Sequence, residues 1–227
     1  MTAIVVAGGE GRRIGKDKNL IPLLGKPLLF HTLRAFEKAR TVSDVILVVR
    51  KKNVESAKKL FVNKFKFGKI KKIVEGGRER QESVLKGLRW VRPDTEFVVV
   101  HDGARPLVRP SLIDKTVRAC SVKGIEAVTT AVKATETVKK VRDAFIEKTL
   151  NRDELWLSQT PQVFRHRTML AAHLLAFGEE FVGTDDVQLV ERMDVKVKII
   201  EGSRENLKIT FPEDLIVAEA FLRKRRP

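Results

Sequence analysis

The sequence has one cysteine, no tyrosine and two tryptophans, and aromatic residues make up only 6% of its 227 positions. A lone thiol, Cys120, excludes an internal disulfide and agrees with a reducing compartment. No apolar run approaches the roughly 20 residues that span a bilayer, and the amino terminus has no basic-then-apolar leader, so a cytoplasmic chain outside the membrane is expected. Acidic residues are also short, at 29 against 45 Lys and Arg, for a net charge of +16. Such an excess invites a nucleic-acid reading. The basic residues are spread over every segment, however, and few aromatics leave no interleaved stacking platform, so no nucleic-acid partner is expected. Abundant Lys and Glu with few Asn, Gln, Cys and Met match a heat-adapted surface. The charge is read as solvated faces plus a locally positive cleft for an anionic substrate. What is present, 43% hydrophobic and 33% charged residues, describes a globular protein. Its length suits one sizeable core, hence one domain over 1–227.

The densest motif runs from Ala7 to Lys18, AGGEGRRIGKDK, directly after the apolar Ile4-Val5-Val6. Gly8, Gly9 and Gly11 permit backbone angles closed to other residues, so amides can face an anion, and Arg12, Arg13, Lys16 and Lys18 add charge suited to a polyphosphate. Two common glycine signatures fail by counting: a dinucleotide fingerprint needs glycine where Ile14 stands, and a Walker loop needs glycine at Glu10 and Ser or Thr at Asp17. What remains, Gly-x-Gly-x-Arg followed by Lys18, resembles nucleotidyltransferases that hold a nucleoside triphosphate over a parallel sheet.

Alternating strand and helix patterns predict an α/β fold, a Rossmann-like, mostly parallel sheet with helices on both faces. Strands are expected at Asp44 to Val49, 70–74, 97–100, 126–132 and 195–200. Helices are expected from Pro27 to 40, from an Asn53 N-cap to Phe65, over 84–91, 110–123 and 165–177, up to Met193, and from Thr210 and Pro212 onward. A second glycine pair, Gly76-Gly77, sits at a strand end before Arg80 and Ser83, which offer donors to a base or cap a helix. Asp102 leaves an all-apolar strand where a Mg²⁺ bridging triphosphate oxygens needs one or two carboxylates; pairing with Arg105 is the plain structural alternative. His101 has no metal-ligand spacing and reads as a core or supporting residue. Over 133–152 the alternation gives a protruding β-hairpin arm, stable only if packed on a partner subunit or laid down as a flap. Thr184 or Asp185 caps a helix, and Lys208 could point into an anion site.

Taken together, AGGEGRR with Lys18, GGRERQESV, VHDGARP, NRDELWLSQTPQ, GTDD and EGSRENLKITFPEDL resemble, in order and spacing, the 2-C-methyl-D-erythritol 4-phosphate cytidylyltransferases. The resemblance covers residue 4 to about 222. It implies a CTP-using enzyme of the non-mevalonate isoprenoid pathway, dependent on Mg²⁺ or another divalent cation and dimeric through the 133–152 arm. Residues matching Ala7, Gly8, Gly9, Gly11, Arg13 and Lys18 hold the triphosphate, with Arg13, Lys18 and Lys208 as the catalytic cations. Gly77, Arg80 and Ser83 lie around cytosine and ribose. Asp102 serves metal and substrate, beside Arg105. Arg152 and an arm threonine, Thr137 in preference to Thr135, reach across the dimer to methylerythritol phosphate, whose pocket Thr160, Thr184 and Lys208 complete. The rivals are a cytidylyltransferase for another polyol phosphate such as ribitol 5-phosphate and, from a different class, a basic nucleic-acid-binding protein.

Overall fold

The computed structural model describes residues 1–9 and 18–225. Strand β1 (Thr2–Ala7) reads TAIVVA, with no charge to keep either face in water, and it is buried almost throughout. A 3-10 turn at Lys18–Leu20 and a small ribbon, β2 (Pro22–Leu23) and β3 (Lys26–Pro27), lead into α1 (Leu28–Lys38). The ribbon's turn places Gly25 at φ 75°, where other residues are strained. Next come β4 (Asp44–Val49), α2 (Val54–Ala57) and β5 (Ile70–Glu75). Periodicity predicts one helix from Asn53 to Phe65, but α2 spans only its first turn, and the chain rewinds to π spacing over Lys58–Lys64. The wider winding leaves Phe61 buried with Leu60, Val62 and Phe65 packed beside it. The Asn53 side chain does not cap this helix.

The chain continues through α3 (Arg80–Leu88), β6 (Phe97–Asp102), α4 (Pro110–Cys120) and β7 (Ala127–Lys133). The arm, β8 (Lys139–Arg142) and β9 (Phe145–Thr149), follows, then β10 (Trp156–Arg165), α5 (His166–Gly178), α6 (Asp186–Glu191), β11 (Val197–Glu201) and α7 (Pro212–Lys224). The main sheet has the order β11-β7-β10-β6-β1-β4-β5. Every neighbour pair is parallel except those of β10, which runs antiparallel to both β6 and β7. The sequence pattern assigned no strand to Trp156–Arg165. The chain leaves the sheet at Lys133 and re-enters opposite it at Trp156, so the return strand is reversed like the second leg of a wide hairpin.

Alternation along the strands sorts the core into two layers. Ala3, Val5, Leu47, Val49 and Val99 face Leu33, Phe36, Phe61, Ile113 and Val117 from the α1, α2 and α4 side. Ile4, Ile46, Val48, Val98 and Val100 face Val84, Leu88, Met169, Ala172 and Leu189 from α3, α5 and α6. A smaller cluster docks α7 on the ribbon through Leu23, Leu28, Leu107, Ile209 and Ala218. The arm stands apart. Among the described residues its two strands pair only with each other, and Val141, Phe145 and Ile146 are 55%, 78% and 64% exposed. Its two-residue turn puts Asp143 and Ala144 at φ 49° and 67°, the hand that suits strand twist.

Candidate active site

Two glycine corners and one strand end meet on one rim of the sheet. Val6 of β1 lies opposite Asp102 of β6 in parallel register, so Ala7 and Asp102 emerge side by side. The Gly103 N–H donates to the Val6 carbonyl at 2.8 Å, and a Cβ on Gly103 would stand 3.0 Å from both Ala7 Cβ and Leu29 Cδ1. Asn19 Nδ2 donates to the Ala7 carbonyl at 2.8 Å, fastening Lys18 and its neighbours beneath Gly8 and Gly9. The second corner, Gly76-Gly77, is folded around Ser83, whose hydroxyl accepts the Gly77 N–H at 2.9 Å and donates to the Glu79 carbonyl at 3.0 Å. A Cβ on Gly76 would come 2.8 Å from Ser83 Oγ, and one on Gly8 3.3 Å. The glycines therefore let two turns close on one hydroxyl. Glu82 reaches back to the Arg78 N–H at 2.7 Å and secures the helix start.

Between these corners opens a cleft of about 140 Å³, lined by Gly8, Gly9, Lys18, Arg80, Asp102 and Lys208 among others. Asp102 forms its floor, and three cations surround the carboxylate: Lys208 Nζ at 2.9 Å, Arg80 Nε at 3.0 Å and Arg105 Nε at 3.6 Å. Burial alone pushes the Asp102 carboxyl up, but the charges of Arg80, Lys208 and Arg105 overcome it and hold the group well below the ordinary range. Lys18 Nζ donates to the Ile209 carbonyl at 3.2 Å, so the two lysines approach the cleft from one side. Behind Asp102, burial drives the His101 imidazole down to about 3, and Arg105 adds to that, so it stays neutral and works as a packing and hydrogen-bonding group beside Thr160 and Phe36.

The sequence-predicted residues divide accordingly. Ala7, Gly8, Gly9, Lys18, Gly77, Arg80, Ser83, Asp102 and Lys208 share the cleft wall. Gly11 and Arg13, with Arg12 and Lys16, lie outside the described residues. Ser83 is on the wall, but its donor is taken by the turn. Thr160 is buried under the floor, where its hydroxyl accepts the Asp102 N–H at 3.0 Å and meets His101 Nδ1 at 3.0 Å; it holds Asp102 from behind instead of facing the cleft. Arg105 is likewise buried, and its Nη1 donates to the Asn206 carbonyl at 2.7 Å. Thr184 is exposed against Gln188 on a separate groove with Trp156 and Ser158, and Asp185 caps α6 by accepting the Gln188 N–H at 3.0 Å. Thr137 and Arg152 ride on the exposed arm, where Arg152 Nη1 donates to the Thr135 carbonyl at 3.1 Å, and neither lines the cleft of its own chain.

The family model for 2-C-methyl-D-erythritol 4-phosphate cytidylyltransferase matches residues 1–224. The chain belongs to that cytidylyltransferase family. A relative of that name from Caldanaerobacter subterraneus is 43% identical over 226 residues, covering 99% of both chains. One from Pelotomaculum thermopropionicum is 44% identical over 229 residues, covering 100% of this chain and 95% of the relative. The crystal structure of 4-diphosphocytidyl-2C-methyl-D-erythritol synthase from Anaerococcus prevotii superposes with a TM-score of 0.87 at 36% identity, over 98% of this chain and 95% of that one.

For this cytidylyltransferase several positions that sequence reasoning passed over hold the cleft in shape. Asn19 fastens the first glycine corner. Asn206, buried, donates to the Thr160 carbonyl at 2.8 Å and sets the loop that carries Lys208. Asp186 and His173 stand behind Arg80. Only the pairing of polar residues across distant segments marks them, and that pairing is invisible along the chain. No group of three His, Cys, Asp or Glu able to hold a metal occurs among the described residues. Asp102 is a single carboxylate; that donor set fits a divalent cation that keeps its waters and arrives on phosphate oxygens, and not one caged by protein.

Proposed function

We propose that this chain transfers CMP from CTP to 2-C-methyl-D-erythritol 4-phosphate in isoprenoid biosynthesis. A phosphate oxygen of the acceptor bonds to the α-phosphorus of CTP while the bond to the bridging oxygen breaks, and pyrophosphate leaves with the electron pair. The observation that carries this reading is the convergence of both glycine corners, Lys18, Arg80, Asp102 and Lys208 on one cleft. Both reactants are anions, so charge neutralisation and in-line placement carry the acceleration. In this reading the amides of Gly8, Gly9 and Gly11 with Arg13 and Lys18 hold the triphosphate, and Gly77, Arg80 and Ser83 flank the base and ribose. Lys18 and Lys208, approaching from the same side, together neutralise the crowded α-phosphate. Arg105 and Thr160 act through Asp102 and the Lys208 loop, and Thr184 is assigned to the acceptor's pocket by the resemblance alone.

A Mg²⁺ or similar ion, held by Asp102 and the nucleotide's own oxygens, supplies further charge neutralisation when bound. The arm residues Phe145, Ile146 and Val141 support a homodimer, since a lone hairpin with an exposed apolar face needs a surface to cover it. Thr137 and Arg152 of the partner subunit then complete the acceptor site. The whole chain is read as one nucleotidyltransferase domain, and the lone thiol and the absence of any membrane-crossing helix among the described residues support a cytoplasmic location. Relatives named for the methylerythritol substrate favour it over ribitol 5-phosphate. The test is pyrophosphate release from CTP with each polyol phosphate, with Mg²⁺ and with chelator. Turnover with methylerythritol phosphate that chelator abolishes is expected; equal or faster turnover with ribitol 5-phosphate overturns the substrate assignment.

A further inference from the structure

Arg80 is the cleft residue most completely fixed from behind. It is the first residue of α3, and each of its three nitrogens has a different fate. Nε lies 3.0 Å from Asp102 Oδ1, Nη1 lies 2.7 Å from Asp186 Oδ2, and Nη2 is buried with no partner among the described residues. A guanidinium is planar, so two fixed nitrogens fix the direction of the third.

Asp186 takes no part in the cleft wall. It is 1% exposed at the first turn of α6, and its second oxygen stands 3.1 Å from Nε2 of His173, a fully buried residue of α5. A carboxylate sunk this deep carries a desolvation cost that only its partners offset. Here those partners are one imidazole and one arginine that lines the cleft. Two helices are thus pinned together at a point whose outward end is Arg80.

We infer that Asp186 and His173 are positioning residues for nucleotide recognition: together they fix the Arg80 guanidinium, so that its exposed part on the cleft wall meets the nucleotide while Nε braces Asp102. This rests on the CTP-binding reading above and names the source of that site's geometry.

Calorimetric binding of CTP in Mg²⁺ to the intact protein, with steady-state KM values for both substrates, tests it. Asp186→Asn keeps the shape and removes the charge; CTP binding weakens by about ten-fold or more while KM for methylerythritol phosphate stays within about two-fold. In an Arg80→Ala background the same change adds less than about two-fold, because both residues act through one guanidinium. His173→Leu weakens CTP binding several-fold, and His173→Gln, whose amide nitrogen stands where Nε2 was, restores it to within about two-fold of the parent. The two His173 variants decide the matter should Asp186→Asn fail to fold. Parent-like CTP binding by Asp186→Asn, additive effects in the Arg80→Ala background, or equal losses in His173→Leu and His173→Gln overturn the inference. A parent protein that binds no CTP overturns the underlying reading instead.

Discussion

Lys208 Nζ lies 2.9 Å from Asp102 Oδ2, joining a loop near the carboxyl end to the tip of a central strand. Lys208 is 39% exposed at its side chain and Asp102 only 9%, so the lysine covers the acid from the solvent side. A cation there can turn to a phosphate without unmaking the core.

Lys208→Ala and Lys18→Ala are therefore expected to separate turnover from stability. Each removes one cation from the reacting phosphate, a loss on the order of 10²-fold or more in kcat. Thermal midpoints should move by only a few degrees, because neither side chain is part of the apolar core. Pyrophosphate release and a melting curve on the same samples check both halves, and parent-like release by Lys18→Ala removes that residue from the mechanism.

Gly87 lies on the face of α3 that meets the sheet. A Cβ there would come 2.7 Å from Ile4 Cγ2 and 3.2 Å from Val48 Cγ2, both in the core. Alanine is the better helix former by about 1 kcal/mol. Overpacking costs about 1–3 kcal/mol, so Gly87→Ala should lower stability against the propensity trend. Urea unfolding measures the sign directly.

Asp114 of α4 accepts from the Thr41 N–H at 2.9 Å, the Thr41 hydroxyl at 2.7 Å and the Arg40 N–H at 3.2 Å, tying α4 to the end of α1. Burial pushes its carboxyl up, but the Thr41 and Arg40 hydrogen bonds prevail and hold it below the ordinary value. A depressed carboxylate stabilises the fold above its unfolded value, about 3.9, and that contribution fades as pH falls through the folded value. Asp114→Asn should thus cost about 1–3 kcal/mol at pH 7, and the gap to the parent should close below about pH 4. Urea midpoints of both proteins across that range check it.

The arm gives a prediction about assembly. Replacing Phe145, 78% exposed, by Asp should shift the protein toward monomer in sedimentation. Mixing Arg152→Ala chains with Lys208→Ala chains should restore turnover that neither shows alone, because one mixed site then pairs an intact cleft with an intact arm. No recovery on mixing separates Arg152 from the partner's site.

Strand and helix order was legible in the sequence because short continuous apolar runs mark strands buried on both faces, as in Asp44–Val49 and Phe97–Asp102, and apolar residues at period 3.6 mark the helices between them. The glycine corners were legible too, since each glycine pair follows an apolar strand run; that Gly8 and Gly76 both close on Ser83 is visible only in three dimensions. The reversed direction of β10 was not: a strand's own composition carries no record of which way its neighbours run. Nor was the inward turn of Thr160 and Arg105, which depends on His101 and Asn206 arriving from other segments.

By itself the sequence determined the α/β class, the two glycine-rich turns and the acid at a strand end, because each follows from local sterics and hydrophobic spacing. Only the tertiary structure decided which polar side chains meet. Asp186 reaches Arg80 across 106 positions of sequence, and long-range pairs of this kind are set by how the helices pack on the sheet.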